Sequence, residues 1–386
     1  MREYKNAICQ PKGFKASAIA CGLKKNKELD LALIYSEATA VACGMFTRNK
    51  FAAAPVKVCR EHLKAKQSQA IVVNSGNANC WTGAKGLLAA QETTRLSAEL
   101  LGLRQKSVLV ASTGIIGKPI DFAKIKKALP ILINSLAKNS KAQAARAIMT
   151  TDTRPKELMA RIKMDDKIIT LGAMAKGAGM LAPDMACIER SRSATMLCFI
   201  TTDALIQYSA LKEALKEAVE NSFNLLSVDG CMSTNDSVIA LANGLAQNKL
   251  ITSSGNNFPK FKAALKEICL GLAKMLVYDA EGASKFVAIK VSGAKDNCQA
   301  RRAALAIANS NLFKTAVYGE NPNWGRIVAA VGASGAEAKD DIVIACSSFK
   351  KKNISVKVDL KSGPGMATVY TSDLTPEYVR INASYN

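Results

Sequence analysis

The sequence predicts an α/β protein built of packed layers rather than a doubly wound nucleotide-binding fold. Three observations carry this expectation. Short apolar runs such as 70–73, 107–111 and 286–291 recur along the chain and read as buried strands. Amphipathic stretches separate them at irregular intervals; the longest, 258–277, places Leu265, Ile268, Leu272 and Leu276 on one helical face. The glycines do not follow a phosphate-cradling pattern: after Gly177 and Gly179 the third position is Ala182, and no P-loop Gly-Lys-Ser/Thr occurs.

In chain order, a strand at 31–35 is followed by the loop 46–56 and by a helix around Glu61 that reads as exposed and carries His62. The strand 70–73 runs into Asn74–Gly83, NSGNANCWTG. Three asparagines and two glycines make this a turn-rich loop whose amides meet either a polar ligand or one another. A helix at 86–101 leads to the strand 107–111 and the loop STGIIG, Ser112–Gly117. Thr113 and Gly114, just past a strand end, offer a hydroxyl and an N–H to a developing negative charge, or form an ordinary strand exit.

Helices at 121–136 and 141–149 end at Thr150-Thr151-Asp152-Thr153, small polar residues suited to a cap and turn. A strand near 167–171 enters the stretch that organises the chain, Leu171–Ala204. Its first half is small-residue backbone with Gly177, Gly179 and Pro183, which reads as loop. There Lys176 has small neighbours that leave its ammonium room to approach a ligand carboxylate. The second half, Met196–Ile200, reads as a buried strand led by Thr195. Such a threonine either just opens the strand or presents a rigidly held hydroxyl nucleophile.

Beyond it lie a helix at 210–222, a turn-rich loop at 227–244, and the long helix 258–277. Asp279 and Glu281 follow that helix, where the helix dipole disfavours carboxylates, so they mark either a solvated turn or a site. A strand at 286–291, a helix at 300–308 and strands near 342–345, 354–360 and 367–371 complete the chain.

Composition excludes several functions. The single histidine, His62, leaves little for a Ser-His-Asp or Cys-His enzyme or a histidine zinc site. In enzymes with a threonine nucleophile an N-terminal amine, with an ordinary pKa of about 7.7–8.0, serves as the base instead. The eleven cysteines include no CxxC pair and fit free thiols in a reducing compartment; Cys198 and Cys269 sit in apolar runs as core residues. The net charge of +22 would favour nucleic acid, but the lysines are spread along the chain and aromatics are only 5%, so it reads as a solvated surface. No apolar run reaches the ~18 residues of a membrane span, and the N-terminus lacks a signal-peptide core. A cytoplasmic enzyme of two or three domains is expected.

KGAGMLAPDM followed by ATMLCFITTDA resembles the signature of the ornithine acetyltransferases, also called glutamate N-acetyltransferases, of arginine biosynthesis. The likeness runs from KGFKASAIACGLK to INASY and includes NSGNAN, STGIIG, TTDT and KTAVYGENPNWGRI. It implies an α-β-β-α layered fold built from two autocleaved fragments, residues 1–194 and 195–386. Cleavage would fall between Ala194 and Thr195, with Thr195 the N-terminal nucleophile. Thr113 and Gly114 would form the oxyanion hole, and Thr150, Lys176, Thr195, Glu281 and Asn382 would contact substrate. The sequence departs from the family pattern in the eight residues Cys187–Ala194, CIERSRSA, inserted before Thr195.

The implied reaction moves acetyl from N2-acetylornithine to L-glutamate through an acetyl-threonine, with acetyl-CoA an open second donor. No metal or bound cofactor is implied. The implied partners are the small-molecule substrates and the two fragments, paired as a heterotetramer; nucleic acid and membrane are not among them. The alternatives are an N-terminal-threonine amidohydrolase or aminopeptidase of related architecture, or an unprocessed, inactive relative.

Overall fold

The computed structural model describes residues 2–136, 143–183, 185 and 196–384. Strands β1 (Arg2–Glu3), β2 (Phe14–Ile19), β3 (Leu31–Phe46), β4 (Gln67–Asn74), β5 (Val108–Ser112), β6 (Lys156–Met164), β7 (Lys167–Lys176), β8 (Leu197–Thr202) and β9 (Ser237–Ala242) form one sheet. Its order is β1-β6-β7-β8-β9-β3-β4-β5, with β2 also paired to β3.

Strand β3 is what makes this sheet into two layers. Its first half pairs with β2 and β4, an irregularity follows between Tyr35 and Ala40, and its second half pairs with β9. The strand alternates strictly before that break, as a two-residue period requires. Leu31 and Leu33 face one core, shared with helices α2 (Gly83–Leu101) and α3 (Phe122–Asn134), while Ala32 and Ile34 face another. That inner core lies between the two sheet layers, because Leu197 and Phe199 of β8 and Ile239 and Leu241 of β9 meet it from the other side. Cys198 and Ile200 point the opposite way, into a core closed by helices α5 (Tyr208–Glu220) and α6 (Phe258–Tyr278). Helix, sheet, sheet, helix is therefore the order of layers. The expected α-β-β-α architecture follows from β8 and β9 being apolar on both faces.

Helix α1 (Ala54–His62) and the short helix α4 (Ala144–Ala147) border the inner core. A second sheet, β11-β12-β10-β13, comprises β10 (Phe286–Ala294), β11 (Val343–Cys346), β12 (Asn353–Asp359) and β13 (Gly365–Ser372). Helices α7 (Asn297–Ala308), α8 (Asn311–Tyr318) and α9 (Trp324–Gly332) give it a core of its own, and α10 (Pro376–Ala383) ends the described chain.

Several sequence expectations need correction. Residues 172–176, read as loop, are the end of β7; Gly172 is required there because a Cβ would fall 1.8 Å from the Ala7 carbonyl oxygen. Strands β2 and β6 went unread, and β3 extends far past Tyr35. His62 is buried, its Nδ1 2.8 Å from the Val108 carbonyl oxygen, so α1 turns it inward rather than to solvent. The long helix is as expected: Leu265, Ile268, Leu272 and Leu276 are all fully buried, as are Cys198 and Cys269. Among the described residues no helix is long and apolar enough to cross a membrane.

Candidate active site

The parallel strands β4 and β5 end side by side, and Ser112 Oγ donates to Asn74 Oδ1 across the gap at 2.5 Å. The loop NSGNAN folds on itself there. Asn74 Nδ2 donates to the Asn77 carbonyl at 2.8 Å, and Asn79 Nδ2 to the Gly86 carbonyl at 2.8 Å, so the asparagine amides bind backbone. Against this loop presses the strand exit Thr113-Gly114. Gly114 adopts φ +130°, and a Cβ on it would lie 2.4 Å from the Gly76 carbonyl carbon. Only glycine permits that approach.

Lys176 closes β7 at the same mouth. Buried, it donates through Nζ to Thr113 Oγ1 at 3.1 Å and to Thr150 Oγ1 at 2.8 Å. Burial pushes its ammonium below the usual lysine range, opposed by the negative charge of Asp152, whose Oδ2 is 4.0 Å away. Burial works against ionisation of Asp152 too. Lys176, Lys156 and the Gly177 N–H, donating to Oδ1 at 2.7 Å, outweigh it and hold the carboxyl at about 2. Asp152 is a carboxylate in the fold.

Glu281 reaches the cluster from beyond α6. Its N–H donates to the Ala178 carbonyl at 3.0 Å, Thr151 Oγ1 donates to its Oε1 at 2.6 Å, and Asn382 Nδ2 of α10 donates to its Oε2 at 2.8 Å. A Cβ on Gly179 would strike that carboxylate at 2.0 Å, which explains the glycine. A cavity of about 250 Å³ reaches Thr150 and Gly76, with Lys24, Ile115 and Lys118 among its walls.

Of the residues singled out from sequence, Thr113, Gly114, Thr150, Lys176, Glu281 and Asn382 thus converge on one place. Ala194, Thr195 and the insert Cys187–Ala194 lie outside the described residues. The next residue, Met196, is described, and its N–H donates to Asp236 Oδ1 at the mouth of β9.

Sequence reasoning missed Asp236. It is fully buried, its Oδ2 has no hydrogen-bond partner among the described residues, and burial drives its pKa well up, against the Met196 N–H and Lys176. Its neighbour Asn235 ties the same loop to the ends of β4 and β5, donating through Nδ2 to the Ala78 carbonyl at 2.7 Å and the Ser112 carbonyl at 2.8 Å. A carboxylate leading the unbroken apolar run of β9 was the available signal. Lys156, inside β6, was missed as well. Among the described residues no group of three His, Cys, Asp or Glu side chains is placed to hold a metal.

The ArgJ family model matches residues 15–386. An arginine biosynthesis bifunctional protein ArgJ from Geobacter sulfurreducens is 44% identical over 397 residues, covering 97% of this chain and 99% of its own. A glutamate N-acetyltransferase from Methanocaldococcus jannaschii is 44% identical over 420 residues, covering 100% of both. A crystal structure of an arginine biosynthesis bifunctional protein ArgJ from Bacillus halodurans, 34% identical, gives a TM-score of 0.46 and covers 48% of this chain and 97% of that one. Full-length identity of this order places the protein among the acyltransferases of arginine biosynthesis. The chain belongs to the ArgJ family.

Proposed function

We propose that this protein is a self-processing glutamate N-acetyltransferase that moves the acetyl group of N2-acetylornithine to L-glutamate through an acetyl-threonine on Thr195. The observation that carries the reading is the convergence of Lys176 on Thr113 and Thr150, with Glu281 on the adjoining Thr151, at the mouth of the sheet that Thr195 leads into.

Cleavage between Ala194 and Thr195 yields fragments 1–194 and 195–386 and frees the threonine amine. That amine takes the Oγ proton as Oγ attacks the acetyl carbonyl. The Gly114 N–H and Thr113 Oγ1 donate to the oxyanion. Because Thr113 Oγ1 already accepts from Lys176, its own O–H is turned outward to donate. One such donor is worth roughly 2.7–4 kcal/mol in the transition state. The C–N bond breaks, the amine passes its proton to the departing nitrogen, and ornithine leaves. Glutamate then attacks the acetyl-threonine and carries the acetyl group away. Lys176 and Thr150 take the substrate carboxylate, while Glu281, oriented by Asn382, takes its ammonium.

No cofactor enters this scheme. The working unit is a cytoplasmic heterotetramer of two of each fragment, acting on small molecules.

Intact mass and N-terminal sequencing test the nucleophile: two fragments, the second beginning Thr-Met-Leu-Cys, are expected, and Thr195→Ala should give one uncut, inactive chain. Full transfer by Thr195→Ala overturns the assignment. Turnover of acetylornithine without glutamate would make the enzyme a hydrolase of the amidohydrolase type. Acetyl transfer from acetyl-CoA to glutamate would add the second donor.

A further inference from the structure

Each residue of the segment Thr150–Thr153 holds a different partner. Thr150 Oγ1 accepts from Lys176, and Thr151 Oγ1 donates to Glu281. Asp152 takes the N–H groups of Thr150 and Gly177 and lies beside Lys176. Thr153 donates to Asp279 through both its N–H, at 3.1 Å, and its hydroxyl. Lys156 locks this arrangement: its Nζ is 2.6 Å from Asp152 Oδ1 and 2.5 Å from Asp279 Oδ2, with the side chain fully buried. Asp279 stands two residues before Glu281 at the end of α6.

So one four-residue strip grips the cation Lys176 on one side and the anion Glu281 on the other. Buried ion pairs of this kind are weak sources of stability, since packed apolar residues of the same volume often serve better. What they do supply is a fixed geometry.

We propose that Thr151, Asp152, Thr153, Lys156 and Asp279 form a positioning bracket that sets the separation of Lys176 from Glu281. The bracket selects amino-acid substrates by the distance between their carboxylate and their side-chain ammonium. This rests on the reading above that Lys176 and Glu281 hold those two groups. Beyond Thr151 on Glu281 and the Asp152 carboxylate 4.0 Å from Lys176, the bracket residues act through their neighbours.

The test compares N2-acetylornithine with its one-methylene-longer homologue N2-acetyllysine. In Lys156→Met, KM for acetylornithine should rise about tenfold, kcat should change by less than about threefold, and the preference between homologues should shrink by about tenfold, the order that one methylene commands. Thr153→Val touches an exposed residue and leaves the core intact; a rise in KM of about threefold is expected from the lost hydroxyl contact.

The neutral triple variant Asp152→Asn/Lys156→Met/Asp279→Asn separates position from stability. Its Tm should recover relative to Lys156→Met while KM and length preference stay impaired. Recovery of all three together overturns the bracket, as does an unchanged KM and length preference in Lys156→Met or Thr153→Val. Calorimetric Kd values for ornithine against lysine read the same preference without turnover. An inactive wild type that still prefers ornithine would defeat the proposed reaction and leave the bracket standing, whereas a wild type that binds neither would defeat both.

Discussion

Buried lysines occur in both halves of this molecule, and the two regions treat them oppositely. At the site, Lys156 and Lys176 are surrounded by carboxylates: Asp152 and Asp279 within 2.6 Å of Lys156 Nζ, and Asp152 4.0 Å from Lys176. On the helices of the smaller sheet, Lys314 of α8 is equally buried, and its hydrogen-bond partners among the described residues are neutral oxygens. Its Nζ donates to Thr371 Oγ1 at 3.0 Å and to the Ser372 carbonyl. Burial lowers its pKa to about 8, and the more distant Asp373 and Asp229 only partly offset this. The contrast separates two uses of one residue type. Beside the candidate site the fold supplies counter-charge to the buried ammonium; where Lys314 pins a helix to a strand, hydroxyls and carbonyls suffice.

The comparison breaks if the two lysines respond alike to removal. Lys176→Met should lower kcat/KM by about 10³-fold, the expected cost of deleting one partner of a buried, hydrogen-bonded charged contact. Lys314→Met should leave kcat/KM within about twofold, because among the described residues its Nζ donates to Thr371 and Ser372 and to none of Thr113, Thr150, Lys176 or Glu281. Steady-state kinetics on acetylornithine and glutamate check both. Next in size, Thr113→Val keeps the shape of the strand exit but deletes the hydroxyl that Lys176 orients. A fall in kcat of about 10²-fold with little change in KM is expected, the signature of an interaction made mainly in the transition state. An equal rise in KM instead would show that Thr113 serves ground-state binding.

How legible this was follows from range. The stripe of α6, the apolar run at the start of β3 and the doubly buried run of β8 are local patterns, and each is visible in sequence. Strand β6 is not: Lys156, Glu157, Leu158, Met159, Ala160 and Arg161 are good helix formers, and only pairing with β1 and β7 makes them a strand. His62 looked exposed because charged residues flank it, but its partner Val108 is 46 positions away. The site was legible where motifs resembled a family and opaque where roles depend on distant partners. Lys156 is the clearest case, since its second carboxylate lies 123 residues further along the chain.

The titration of Lys314 sharpens the contrast on the alkaline side. Its folded pKa of about 8 lies below the unfolded value near 10.4, so between these the unfolded chain binds more protons and stability rises with pH. The gain is on the order of 3 kcal/mol across that window. Denaturant unfolding of wild type against Lys314→Met should show the rise only in the wild type; parallel curves would mean the ammonium is charged in the fold as well.

On the acid side the site itself supplies a smaller effect, and the sign differs between two of its carboxyls. Asp152, held at about 2 in the fold, stabilises the protein above its unfolded pKa of about 3.9, and that contribution disappears as pH falls toward 2. Asp236 runs the other way. Its folded pKa is raised by burial, so the fold binds the extra proton, and stability gained from it grows as pH falls toward about 3.9 and is complete there. The two windows therefore meet near pH 4 without overlapping. Asp152→Asn should flatten the stability curve below that point, by on the order of 2 kcal/mol, and leave the limb above it alone. Asp236→Asn should do the reverse. If instead Asp236→Asn weakens the acid limb below pH 4, the carboxyl is ionised in the fold. Asp236 Oδ2, which has no hydrogen-bond partner among the described residues, would then carry a charge rather than a proton.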